Sequence, residues 1–154
     1  MESRYWPSLD RLISPLGFGC WQLGGEYEVN GKPHGWGHID ERDAVRLVQT
    51  ALDHGIEFFD TAMAYAGGRS EEFLGKAISS SPLGHQAVIC TKIPLEESEI
   101  AAARIDKTFA DKLDRSLVRL KRDRVDVLLL HNPPDDLNWK EFNFSKPYLR
   151  PSAG

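Results

Sequence analysis

Three ionisable side chains follow directly on apolar runs in this chain: Asp60 after residues 56–59, Lys92 after 87–91 and His131 after 125–130. A tyrosine, Tyr65, comes five residues after the aspartate, in the stretch FFDTAMAY. Together these types do acid–base chemistry. An unperturbed phenol titrates at about 10 and is a poor proton donor or acceptor at neutral pH. A lysine ammonium beside it favours the phenolate and brings the phenol into range. A neighbouring aspartate holds that lysine charged and in place, and a histidine donates a hydrogen bond to a substrate oxygen. Such a set protonates an alkoxide or removes an alcohol proton, while the nucleophile or hydride comes from elsewhere. Each residue alone has a plainer reading: Asp60 as a loop cap, Lys92 as a solvated strand end, His131 as a hydrogen-bonded core histidine. The set says more than its members, because all of them sit at the carboxyl end of a strand or just beyond it.

The runs that carry these residues, with another at 16–21, predict four strands. The later runs are continuous rather than alternating, as strands covered on both faces are. Helical spacing fills the intervals. Asp40 caps a first helix with Ala44, Leu47, Val48, Ala51 and Leu52 on its apolar side, and Gly55 stops it. A second starts at Ser70 ahead of two glutamates, carries Phe73, Leu74, Ala77 and Ile78, and breaks at 80–84. A third runs from near Asp106 to Lys121 around Phe109, Leu113, Leu117 and Leu120. Strict alternation of strand and helix implies a parallel sheet.

The last three strands end near residues 60, 92 and 131, so each unit takes between 30 and 40 residues. Eight such units would need roughly 250 residues, the usual size of a (β/α)8 barrel. The 154 residues hold four. They predict an α/β half of a (β/α)8 barrel over 1–139 and an irregular, proline-containing tail over 140–154. In a barrel all strand carboxyl ends open on one face. Asp60, Lys92 and His131 then share one mouth, and Tyr65 reaches it from the loop. Half a barrel leaves two sheet edges and an apolar inner face to cover. A homodimer of two halves is the expected solution; a complementing half-barrel polypeptide, or the tail with Trp139 and Tyr148 folded over an edge, are the alternatives.

Composition narrows the class. The formal net charge of −4 argues against general nucleic-acid binding, which needs a surplus of basic residues on one face. The basic run Arg119-Leu120-Lys121-Arg122 reads as a solvated helix end. No stretch approaches the roughly 20 apolar residues of a membrane span, and the first residues, MESRYWPSLD, lack the apolar core of a signal peptide. Two cysteines, Cys20 and Cys90, indicate no disulfide framework and read as buried strand residues, so a cytoplasmic location is expected. Gly17-Phe18-Gly19 lacks the third glycine and the helix of a dinucleotide fingerprint and reads as tight strand packing. His34 and His38 are separated by Gly35 and Gly37, which favours a loop at the pocket mouth over a metal-binding helix; no metal site is expected.

Four segments in order, PLGFGCWQLGG, ALDHGIEFFDTAMAYAGGRSEEFLG, VICTKIP and RSLVRLKRDRVDVLLLHNPP, resemble successive motifs of the aldo-keto reductases, from about Leu12 to Trp139. The resemblance implies a (β/α)8 barrel, a nicotinamide cofactor, NADP(H), and small carbonyl or hydroxyl substrates. By that likeness Tyr65 is the proton donor, with Asp60, Lys92 and His131 completing the catalytic set. Trp21, Trp36 and Asn132 would line the substrate pocket. Gly19, Cys20, Trp21 and Asp60 would meet the cofactor. Ala66 stands where the family usually has glycine, and the cofactor-gripping residues of the family's later strands have no counterpart in the chain. The leading reading is therefore an aldo-keto reductase-like oxidoreductase with Tyr65 as acid–base. The others are a cofactor-independent dehydratase, isomerase or lyase reusing the same four residues, and a non-catalytic truncated subunit.

Overall fold

The computed structural model describes residues 2–96, 98–99 and 105–135. The expected tail over 140–154, with Trp139 and Tyr148, lies outside the described residues. The described chain opens on an antiparallel hairpin, β1 (Arg4–Trp6) and β2 (Arg11–Ile13), joined through a 3-10 turn, Pro7–Leu9. Strand β3 (Gly17–Gly19) follows. A second hairpin, β4 (Tyr27–Val29) and β5 (Lys32–His34), comes next. Its two-residue turn is Asn30-Gly31, with φ of 52° and 72°. Positive φ at both positions matches the right-handed twist of flanking strands, which is why Asn-Gly suits this turn. Neither hairpin was expected, because three-residue strands are too short for alternation to show; the Asn-Gly pair was the one signal available for the second.

Helix α1 (Glu41–Asp53) leads to β6 (Phe58–Asp60), α2 (Arg69–Ser80) to β7 (Val88–Pro94), and α3 (Ile105–Leu120) to β8 (Val127–His131). The four strands β3, β6, β7 and β8 form one parallel sheet in that spatial order. This is the α/β arrangement of half a (β/α)8 barrel, as the strand spacing predicts. All four strand boundaries differ, and β6 starts two residues later than the 56–59 run and takes in Asp60 as its last residue. β3 is shorter than the 16–21 run, because Leu16 stays exposed and Trp21 begins a 3-10 turn, Trp21–Gly24. β7 runs on to Pro94, so Lys92 lies within the strand, paired with Leu129, rather than at its end. β8 starts at Val127, with Asp126 extending the ladder: its N–H donates to the Ile89 carbonyl, and its carboxylate accepts the Ile89 N–H at 2.8 Å.

The helices pack as their spacing requires. Asp40 caps α1, accepting the Asp43 N–H at 2.8 Å, and the buried side carries Ala44, Val48, Ala51 and Leu52, while Leu47 stays exposed. Helix α2 buries Phe73, Leu74, Ala77 and Ile78, but Gly68 rather than Ser70 precedes its first residue. Ser70 lies inside the helix, fully buried, and donates to the Cys20 carbonyl at 2.6 Å. Helix α3 buries Phe109, Leu113, Leu117 and Leu120. The main core joins Val48, Phe59, Leu74, Ile89 and Leu120 between sheet and helices. Where α2 crosses α3 the backbones almost touch: a Cβ on Gly75 would stand 2.2 Å from the Arg119 carbonyl oxygen.

The basic run at the end of α3 is not a solvated end. Leu120 is fully buried, Arg119 bonds Glu71, and Arg122 donates to the Gly84 carbonyl at 2.5 Å. Burial of Leu120 rotates its arginine neighbours towards the body, leaving Lys121 exposed.

Candidate active site

The backbone delivers the reactive side chains before any of them touch. Gly19 pairs with Asp60, and Asp60 with Cys90, across the sheet. Beyond β6 the chain stays on β7: the Thr61 N–H donates to the Cys90 carbonyl at 2.8 Å and the Met63 N–H to the Lys92 carbonyl at 3.0 Å. A turn closed by the Tyr65 N–H on the Ala62 carbonyl at 3.1 Å then places Tyr65 over the strand ends. Tyr65 opens a short 3-10 segment in which Ala66, Gly67 and Gly68 all have positive φ, at 50°, 65° and 100°. Glycine occupies such positions without a Cβ penalty, so the glycine expected at 66 would answer to a backbone requirement, and Ala66 meets that requirement at a steric cost.

Three of the four expected catalytic residues meet at one ammonium group. Lys92 Nζ lies 2.7 Å from Asp60 Oδ1, donates to Tyr65 Oη at 3.1 Å, and donates to the Thr61 carbonyl at 2.9 Å. Burial of Lys92 alone would lower its pKa, but the bonds to Asp60 and Tyr65 outweigh burial and hold it above the ordinary lysine value. His131, the last residue of β8, stands edge-on to the Tyr65 ring, with centroids 5.6 Å apart at 90°. Burial, then the Lys92 charge, pull its pKa below the ordinary value against an opposing pull from Asp60. His131 Nδ1 is buried and has no hydrogen-bond partner among the described residues. A buried N–H without an acceptor costs more than a bare acceptor nitrogen. A neutral ring with its proton on Nε2 leaves no buried N–H without an acceptor and has one hydrogen bond to give.

The expected pocket residues divide. Trp21 stacks near Tyr65, with centroids 6.1 Å apart at 29°, and Trp36 packs edge-on to Trp21 at 5.4 Å. Both indoles are open to solvent, at 40% and 63% exposure, so they form a wall beside the phenol rather than core. Asn132 follows His131 with a left-handed φ of 49° and is exposed. Gly19 leaves open space where a side chain would stand. Cys20 is different: its side chain is fully buried, its N–H donates to the Asp60 carbonyl, and its carbonyl accepts Ser70 Oγ. Cys20 follows β3 instead of lying in it. Both thiols are buried; burial drives Cys20 far up, and burial followed by Asp60 pushes Cys90 to about 12. His34 ends β5 and lines, with Glu26, Tyr27, Glu28, Pro33, Gly35 and Gly37, a cavity of about 350 Å³. No group of three or more metal-ligating side chains occurs among the described residues.

Sequence reasoning missed the residues that hold the reactive ones. Thr61 Oγ1 shares a hydrogen bond with Ser70 Oγ at 3.0 Å, and Glu71 is fully buried against Thr91 and Arg119. The signal for Glu71 was present in its phase: it lies three and seven residues before Leu74 and Ile78, on the apolar side of α2.

The model of the Aldo/keto reductase family matches residues 15–144. The chain is 33% identical over 122 residues to aldo-keto reductase YhdN of Bacillus subtilis, covering 78% of this chain and 34% of that protein. Its fold resembles aldo-keto reductase AKR11C1 from Bacillus halodurans in the holo form, with a TM-score of 0.66 and 28% identity over 92% of this chain and 43% of that one. It also resembles an aldo-keto reductase from Klebsiella pneumoniae in complex with NADPH, with a TM-score of 0.60 and 26% identity over 88% of this chain and 41% of that one. The chain thus spans about a third of the length of the first of these relatives and less than half of the other two.

Proposed function

The chain belongs to the aldo/keto reductase family, and from that premise we propose that it carries the acid–base centre of an NADP(H)-dependent oxidoreductase interconverting small carbonyl and hydroxyl compounds. The observation that carries this reading is the Lys92 ammonium bound at once to Asp60 and Tyr65. A phenol whose oxygen accepts a hydrogen bond from an ammonium has its own proton free to give. In reduction, Tyr65 gives that proton to the substrate oxygen as it becomes an alkoxide, and Lys92 stabilises the phenolate left behind. In oxidation the phenolate takes the alcohol proton back. Asp60 compensates the charge of Lys92, and His131, donating from Nε2, orients the substrate oxygen towards Tyr65. Trp21 and Trp36 bound the apolar side of the mouth, with Asn132 at its rim.

The open space at Gly19, beside Asp60 and the exposed edge of Trp21, suits a flat ring approaching the strand ends. Gly19, Asp60 and Trp21 are the side of a nicotinamide site that this chain supplies; Cys20 contributes only its backbone. NADP(H), when bound, supplies or accepts the hydride. The relatives named above are reductases, which favours the redox reading over a lyase, an isomerase or a non-catalytic subunit.

Strands β3 and β8 each lack a strand neighbour on one side among the described residues, and Leu129, on β8, is 44% exposed. Unpaired strand edges call for cover. A second copy supplying the complementary half is the arrangement we favour over a separate half-barrel chain, and native mass spectrometry of the purified protein tests it. For the activity itself, the test is NADPH fluorescence on titration with protein, followed by aldehyde reduction in Tyr65→Phe. Binding together with turnover lost in the variant supports the proposal. Failure to bind NADPH at millimolar cofactor contradicts it.

A further inference from the structure

Behind the Tyr65–Lys92 pair lies an ion pair that touches neither residue, with a fully buried carboxylate and a half-buried guanidinium. Glu71 is fully buried; its Oε1 accepts from Thr91 Oγ1 at 2.7 Å and its Oε2 from Arg119 Nη1 at 3.2 Å. Thr91 is the residue before Lys92 on β7. The Arg119 guanidinium lies against Gly68, where an added Cβ would come within 2.3 Å of its Cζ. Gly68 closes the left-handed run that begins next to Tyr65. From the other side, Ala66 packs on Gly24, whose added Cβ would stand 2.6 Å from the Ala66 Cβ. A run of sparsely populated backbone angles keeps its shape only where its surroundings over-determine it.

Packing around the buried Glu71 alone does not call for charge, since apolar side chains of similar volume commonly stabilise as well as an ion pair taken out of water. The pair stands where the element carrying Lys92 and the turn carrying Tyr65 converge, and each partner reaches one of them. We propose that Glu71 and Arg119 are positioning residues: Glu71 fixes the strand of Lys92 through Thr91, Arg119 fixes the turn of Tyr65 through Gly68, and the bond between them sets the separation of amine and phenol. The inference rests on reading Tyr65 and Lys92 as the acid–base pair.

The test reads Lys92 directly and needs no turnover. Arg119→Met keeps the stem of the side chain and removes the guanidinium; Glu71→Gln keeps a hydrogen bond to Thr91 and removes the charge. The acylation rate of Lys92 in the folded protein is followed by peptide mapping at mildly alkaline pH, with Lys112 as internal control, since it is held by Glu99 at 2.7 Å away from this network. Lys92 should react faster in both variants, by about tenfold for each pKa unit it loses, while Lys112 stays at its wild-type rate. In a Tyr65→Phe background, Arg119→Met should add little, because the phenol through which it acts is gone. Unchanged Lys92 reactivity, or an equal rise at Lys112, overturns the inference. If the single variants fail to fold, Glu71→Leu with Arg119→Met removes the whole pair without stranding a charge; a folded double variant with wild-type Lys92 reactivity equally overturns it. Absence of NADPH turnover would count against the proposed function and leave this result readable on its own.

Discussion

At the scale of single residues, the chemistry depends on which proton each group holds. Replacing Tyr65 by Phe removes the hydroxyl proposed to give and take the substrate proton but keeps the ring that Trp21 and His131 pack against. Turnover in Tyr65→Phe should fall by about 10²–10⁴-fold, with circular dichroism and substrate binding little changed. His131 gives a prediction about stability. Its folded pKa lies below the ordinary value of 6.5, chiefly through burial. The unfolded chain then binds this proton more readily, so the contribution is fully present above about pH 6.5 and is lost as pH falls towards the folded value. Urea midpoints of the wild type should decline from pH 6.5 downwards, and His131→Asn should decline less steeply; parallel declines would contradict a neutral histidine in the folded state. Lys92, with its pKa raised, works the opposite way: its contribution holds below the ordinary lysine range and disappears at strongly alkaline pH.

At the scale of elements, two close approaches decide how the turn and helices sit. Gly75→Ala would ordinarily favour a helix by about 1 kcal/mol. Here the new methyl meets the backbone of Arg119 and Leu120, which cannot swing aside as a side chain would. The variant should lose about 1–3 kcal/mol by urea denaturation, and a gain would show that α2 and α3 are further apart than described. Ala66→Gly should act in the other direction. A left-handed alanine costs roughly 1–2 kcal/mol, against about 0.5–1 kcal/mol for the added freedom of glycine when unfolded, so a gain of up to about 1.5 kcal/mol is expected. These contacts also mark the limit of what sequence could convey. The apolar stripes of α1, α2 and α3 and the parallel runs were legible because burial leaves a period. Asp60, Lys92 and His131 were legible because charge interrupts an apolar run. The extent of β7, the inward turn of Arg119 and the left-handed run at 66–68 depend on a neighbouring element. Such partners leave no local pattern. Glu71 is the intermediate case: its helical phase pointed inwards, but its partners Thr91 and Arg119 lie 20 and 48 residues away.

At the scale of the whole molecule, four parallel strands bring Asp60, Tyr65, Lys92 and His131 together while β3 and β8 keep a free side among the described residues. The Klebsiella pneumoniae relative is a longer chain whose structure holds NADPH, and this chain covers 41% of it. A species of twice the chain mass in native mass spectrometry is expected, and a monomer with full activity would contradict the pairing of halves. No helix among the described residues is long and apolar enough to cross a membrane. In the proposed reaction Tyr65, held by Lys92 and Asp60, moves the substrate proton while a nicotinamide carries the hydride. The most direct measurement is NADPH oxidation with an aldehyde substrate, followed by nicotinamide absorbance in wild type and Tyr65→Phe side by side. Oxidation should require both aldehyde and Tyr65; no oxidation by the wild type, or an equal rate in the variant, would contradict this role for Tyr65.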